Sequence, residues 1–188
     1  MIGLNYFYGI FHFVVTIAVI VYLYRRCTND YPFWRNVFAF LVGIALVGYI
    51  FFPLMPPRLL DAYPLNWDLQ FHFKDALEVL PNAWSFTTGP VKHVGNPYAA
   101  MPSLHFGWSL YCAVAIYPHV KSRWMKNLAI AYPCVMLLAI VATGNHFILD
   151  AVGGALALGI AYLLAKKVTR AGNVPNRTPK VALRGATT

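Results

Sequence analysis

The chain has 188 residues, enough for one domain. It is 59% hydrophobic and only 11% charged, whereas a soluble domain carries about 25% charged residues. A core of this size cannot bury that much apolar surface, so lipid must solvate much of it, and a water-soluble enzyme is excluded. The formal net charge of +9 would raise nucleic acid as a partner of a soluble protein. Here the basic residues fall between apolar runs, and membrane topology explains them without nucleic acid.

Leu4 to Tyr24 is almost uninterrupted apolar and aromatic. As a helix it would rise about 31 Å, the thickness of a hydrocarbon core. It lacks a basic leader region and exceeds a signal-peptide apolar run, so it reads as a retained helix. A second span runs from Asn36 to Phe52 and ends at Pro53, Pro56 and Pro57, which bring in Arg58. Asp61 to Met101 is the long non-spanning stretch, with a short amphipathic interfacial helix expected over Trp67 to Leu80. A solvated loop is the competing reading.

The third span is expected from Pro102 to Val120, with Pro102 in its first turn. A basic turn with Lys121, Arg123 and Lys126 leads to a fourth span, Leu128 to Thr143, in which Pro133 predicts a kink. A tight corner at Gly144 to Phe147 opens the fifth span, Ile148 to Ala165, whose Gly153, Gly154 and Gly159 allow close helix packing. Residues 1–170 thus read as one all-α, polytopic transmembrane bundle of about five spans, and 171–188 as a basic, disordered cytoplasmic tail. The cysteines Cys27, Cys112 and Cys134 follow no metal spacing; Cys112 and Cys134 read as small core residues, with no disulfide framework.

The clusters Arg25/Arg26/Arg35, Lys121/Arg123/Lys126 and Lys166/Lys167/Arg170 fall on one side of five spans. The positive-inside rule makes that side cytoplasmic. Arg58, the long loop, His105 and the Gly144–Asp150 corner then gather at the opposite, external or periplasmic face of the plasma (inner) membrane.

Ionisable groups at membrane depth are expensive, and they raise a functional hypothesis by default. His146 and Asp150 are four apart, a spacing that would put them on one helix face. A carboxylate on one imidazole nitrogen fixes the tautomer and strengthens the other as a nucleophile. A second imidazole, His105, can serve as general acid for a leaving alkoxide. Arg58 can clamp a phosphate with its planar donors, and Ser103 with the backbone N–H groups of the third span adds to an anion site. Each residue alone has a bland alternative. His105 fits an interfacial His, His146 with Asp150 a helix pair or metal ligands, and Arg58 an interfacial anchor. His12 reads as packing or bonding locally. Their joint placement on one face, reached from charge alone, favours phosphoryl transfer through a phosphohistidine, with no metal or cofactor required.

Pro102-Ser103-Leu104-His105, followed by His146 and Asp150 in His-x-x-x-Asp, resembles the type-2 phosphatidic acid phosphatase superfamily of membrane lipid phosphatases and phosphotransferases. Ala-Met-Pro-Ser-Leu-His, Thr-Gly-Asn-His and Pro56-Pro57-Arg58 are similar to the branch containing inositol phosphorylceramide synthase. The resemblance covers roughly Pro53 to Gly154. It implies His146 as nucleophile, Asp150 as its orienter, His105 as leaving-group acid, and Arg58 for phosphate binding. The chain departs from the family in three ways. Only one first-motif cation is evident, no Arg precedes His146 in Val141 to Asn145, and the usual sixth span is missing. Fewer cations fit a phosphodiester better than a doubly charged phosphate. A shortened version, a fragment, or a partner subunit or second copy would each account for the span.

The expected function is an integral membrane lipid phosphatase or phosphotransferase acting on a phospholipid or polyprenyl-phosphate head group. The alternative is a non-catalytic subunit or lipid-binding module that keeps the fold.

Overall fold

The computed structural model describes residues 2–62, 96 and 98–172. The expected interfacial helix over Trp67 to Leu80 and nearly all of the expected tail lie outside the described residues.

Helix α1 spans Ile2–Arg26, with a π-helical turn at Phe7–Phe11. Helix α2 spans Tyr31–Phe51, and a 3₁₀ turn covers Pro57–Ala62. Helix α3 is Leu104–Ile116, extended by a 3₁₀ turn at Tyr117–His119. Helices α4 and α5 are Arg123–Ala142 and Ile148–Gly172. Among the described residues there is no strand, only one isolated bridge between Leu54 and Ala99.

Four helices, α1, α2, α4 and α5, are long and apolar enough to cross a membrane. Large apolar side chains cover their outer faces, Ile50 at 73% exposure and Leu156 at 64% among them. In water such a continuous apolar surface would drive aggregation; in lipid it is the solvated state. The expected third span is the exception. Helix α3 is shorter, with 13 residues or about 20 Å of rise, and it continues through the 3₁₀ turn to His119. It packs against all four other helices, so protein rather than lipid surrounds most of it. Ser109, Tyr111, Cys112 and Ala115 are buried along it.

Three other boundaries differ from expectation. Helix α2 begins at Tyr31, since Pro32 suits a first turn, so Arg35 rides on the helix rather than in a loop. Arg123 and Lys126 likewise belong to α4, which continues through a buried Pro133. Pro102 precedes the helix instead of occupying its first turn: Ser103 is the cap, and the Met101–Pro102 peptide bond is cis. Cys134 lies on the exposed side of α4 while Cys112 is buried, and all three cysteines are free thiols.

Leu23, Val37, Leu41, Tyr111, Ala157 and Ala161 form the main core, shared by α1, α2, α3 and α5. Helix α1 adds a polar stripe within an otherwise apolar segment. Asn5, Tyr8, His12 and Thr16 recur at three- and four-residue spacing, share one face, and are all buried. Thr16 accepts a contact from the Cys112 thiol at 3.5 Å.

Candidate active site

Three chain segments far apart in sequence meet at one end of the bundle. Glycines let their backbones approach. Gly154 of α5 lies directly on the Ser103 carbonyl and close to the Gly107 amide of α3. Any side chain at Gly154 would collide with that backbone. The approach permits the Ser103 N–H to donate to the Asp150 carbonyl at 2.9 Å. On the other side, Gly144 adopts φ 66° against the Arg58 backbone, a conformation that favours glycine. The Arg58 N–H donates to the Gly144 carbonyl at 2.9 Å. These two bonds tie the first and second motif segments to the Gly144–Asp150 corner.

The corner is rigid. Thr143 donates its hydroxyl to the Ala139 carbonyl at 2.6 Å, and the Asn145 amide donates to Thr143 Oγ1 at 2.7 Å. The Asn145 and His146 amides both donate to the Ile140 carbonyl. The corner therefore wraps back onto the end of α4, satisfying backbone groups that a helix end leaves open.

His146 precedes α5 rather than lying on it, so its nearness to Asp150 does not come from a shared helix face. Asp150 is the third residue of α5, and its carboxylate accepts the Phe147 N–H at 2.9 Å, the back-bond of a helix cap. The same Oδ2 lies 3.5 Å from His146 Nδ1, with both side chains almost fully buried. A carboxylate at Nδ1 leaves Nε2 as the reactive nitrogen.

Helix α3 brings His105 to this pair. Ser103 is fully buried and caps α3, its Oγ accepting the Phe106 N–H at 3.4 Å. The cap sets the first turn, and His105 in that turn lies with its ring 5.7 Å from the His146 ring. Unlike His146, His105 is half-buried. Arg58 is 5% exposed within the Pro57–Ala62 turn. All five residues singled out from sequence thus converge at this end, His105 with His146 and Asp150 through their side chains, Ser103 and Arg58 through their backbones. Tyr49 closes the α2 side by donating its hydroxyl to the Pro102 carbonyl at 2.8 Å.

Two residues of the same cluster were missed. The Tyr8 ring stacks on His105 with centroids 4.0 Å apart, and the His12 ring lies 4.3 Å from it. His12 does bond locally, as expected, with Nδ1 donating to the Tyr8 carbonyl at 2.6 Å. The signal was available: an imidazole inside an apolar span, in register with Asn5, Tyr8 and Thr16. Among the described residues no group of three or more His, Cys, Asp or Glu side chains is arranged to hold a metal ion.

Fold and site together define a membrane-spanning helical bundle with a buried His146–Asp150 pair and a half-buried His105 at one end. The chain belongs to the PAP2 superfamily, which matches it over residues 1–164. Members of that superfamily are generally phosphatases or phosphotransferases. No curated protein and no solved structure matches the chain.

Proposed function

We propose that the chain is a lipid phosphatase or phosphotransferase that cleaves a phosphate-linked head group through a phosphohistidine. The observation that carries this reading is the pairing of the two rings, 5.7 Å apart, with Asp150 Oδ2 3.5 Å from His146 Nδ1. His146 Nε2 attacks phosphorus. The P–N bond forms as the P–O bond to the leaving group breaks, and His105 gives its proton to the departing oxygen. Water, or the hydroxyl of inositol or of another lipid, then attacks phosphorus. The P–N bond breaks, and His105 takes the proton back.

Asp150 holds His146 in the reactive tautomer. Arg58 binds the phosphate oxygens, and the Ser103 hydroxyl adds a donor while its oxygen caps α3. Among the described residues at this end Arg58 is the one fixed cation, a set better suited to a phosphodiester than to a terminal phosphate. This supports head-group transfer of the kind performed by the inositol phosphorylceramide synthase branch. The positive-inside rule supports an external or periplasmic site, with the residues after α5 on the cytoplasmic side.

The test is to trap the intermediate. Purified wild type and His146→Ala are incubated with phosphate-labelled phospholipids and polyprenyl phosphates, then quenched in base. Acid-labile label on wild type alone is expected, with turnover in His146→Ala reduced on the order of 10⁴-fold or more. The size of the trapped group separates phosphatase from transferase. Wild-type turnover in His146→Ala overturns the covalent mechanism. Activity abolished by chelation and restored by zinc would replace it with metal chemistry.

A further inference from the structure

We propose that His12, supported by Tyr8, is the positioning residue for His105 and does for the acid what Asp150 does for the nucleophile. This rests on the phosphohistidine reading above.

The geometry starts with the π-helical turn Phe7–Phe11 of α1. Such turns insert one residue into a helix and recur at functional sites. This one contains Tyr8 and is followed directly by His12, and both rings meet His105 of α3. Tyr8 covers His105 nearly face to face, at 4.0 Å and 22°. His12 meets it at 4.3 Å and 55°. His146 lies beyond, at 5.7 Å. Two side chains of α1 and the ring of the proposed nucleophile thus pack around His105.

His12 is 3% exposed, far within an apolar segment, and Trp108 and Phe13 pack around it. Nothing in the phosphoryl-transfer steps uses it. A buried imidazole in a membrane helix calls for an explanation. Packing alone would be met by a phenyl ring.

Its hydrogen bond supplies the explanation. A carbonyl oxygen can only accept, so the 2.6 Å bond to Tyr8 requires that His12 Nδ1 carry hydrogen. The neutral ring then holds its lone pair at Nε2, on a ring whose centroid lies 4.3 Å from that of His105. An acceptor there favours an N–H on the His105 nitrogen that faces it and leaves the other nitrogen to exchange a proton with substrate. Both forms that His105 must adopt are served: the imidazolium that donates to the leaving oxygen, and the neutral ring that recovers the proton from the attacking hydroxyl. His12 neither gains nor loses a proton over the cycle. Catalytic hydrogen bonds that are open in a ligand-free site close in the substrate complex.

The two orienters differ in charge, and the difference suits their tasks. A carboxylate at His146 makes the nucleophile electron-rich. A neutral imidazole at His105 orients the acid without holding its proton as tightly as a carboxylate would.

The experiment compares wild type, His12→Phe, His12→Gln and His146→Ala. Two substrates carry the same phosphoryl group: an alkyl lipid ester, whose leaving oxygen needs a proton, and its p-nitrophenyl counterpart, which does not. We expect His12→Phe to lower kcat/KM on the alkyl ester about 10²-fold, with kcat/KM on the p-nitrophenyl ester, which reports only steps through leaving-group departure, changed less than about threefold. The Gln side-chain oxygen can reach the Nε2 position, so His12→Gln recovers about tenfold of that loss. Equal loss on both esters means a structural role and overturns the proposal; so does no loss on either. Where His12→Phe does not fold, the alkyl-to-aryl ratio of His12→Gln decides by the same criterion. Turnover in His146→Ala equal to wild type overturns the phosphohistidine reading itself, and only that arm reports on it.

Discussion

The two ends of the bundle carry polar groups by opposite means. At the end holding the α1–α2 and α3–α4 turns, Arg25, Arg26, Lys121 and Arg123 are exposed and spread. Asp30 and His119 pair at 3.8 Å, with Asp30 61% exposed, and Lys126 rests over the Tyr117 ring at 4.8 Å. At the other end Arg58, Ser103, Thr143, Asn145, His146 and Asp150 are all buried, each tied through a side-chain or backbone contact. Charge that sets orientation needs number and side, not position. Charge that does chemistry must be held against a specific atom, and here it is held by backbone bonds between segments.

That contrast can be broken in three ways, taken from the largest effect to the smallest. Asp150→Asn keeps an oxygen that can accept the Phe147 N–H, so the fold should survive. The amide no longer enforces the His146 tautomer, and turnover of a competent substrate should fall on the order of 10³–10⁴-fold. Unfolding in detergent at the wild-type temperature, with that loss of rate, checks both halves.

Gly154→Ala drives a methyl into the Ser103 carbonyl and should destabilise by about 1–3 kcal/mol, with activity lost as the Ser103–Asp150 bond opens. Gly159 sits further along the same helix with nothing within 4 Å of an added Cβ. Gly159→Ala should therefore stabilise, by up to about 1 kcal/mol. Equal effects of the two substitutions on the unfolding midpoint would remove the distinction between a tight end and a loose end.

Asp30→Asn removes the exposed pair with His119 and should shift stability by less than about 0.5 kcal/mol, with no change in rate. A larger shift would mean that the basic end is also position-specific.

Much of this was legible in the sequence, and what was not has identifiable physical causes. Apolar length located α1, α2, α4 and α5, because lipid thickness imposes a length on the sequence. The charged residues at the boundaries misled, since Arg35, Arg123 and Lys126 ride on helix ends where their side chains reach water. Helix α3 was read as a span from its apolar composition, and it does connect the two ends of the bundle; composition did not show that other helices rather than lipid enclose most of it. His105, His146, Asp150, Arg58 and Ser103 were singled out because ionisable or capping groups beside apolar runs stand out, and the fold brings them to one end. His12 carries the same signal and was read as packing or bonding locally, and it does bond the Tyr8 carbonyl. The His105 ring it also meets is on α3, and no spacing within α1 points there. The His146–Asp150 pair was expected on one helix face. Its proximity comes instead from a cap, a distinction that depends on where α5 begins.

The bond from Ser103 to Asp150 also has a consequence in time. A ribosome delivers Arg58 and His105 to the membrane well before Asp150 has been made. A nascent chain with α1 to α3 inserted holds the proposed acid and phosphate clamp but no nucleophile, and the Ser103 amide awaits a carbonyl not yet synthesised. Helix α5, made after α1 to α4, is therefore the one that completes the proposed site. On the proposed chemistry, a bundle in which Gly154 has not yet docked onto α3 cannot attack a lipid.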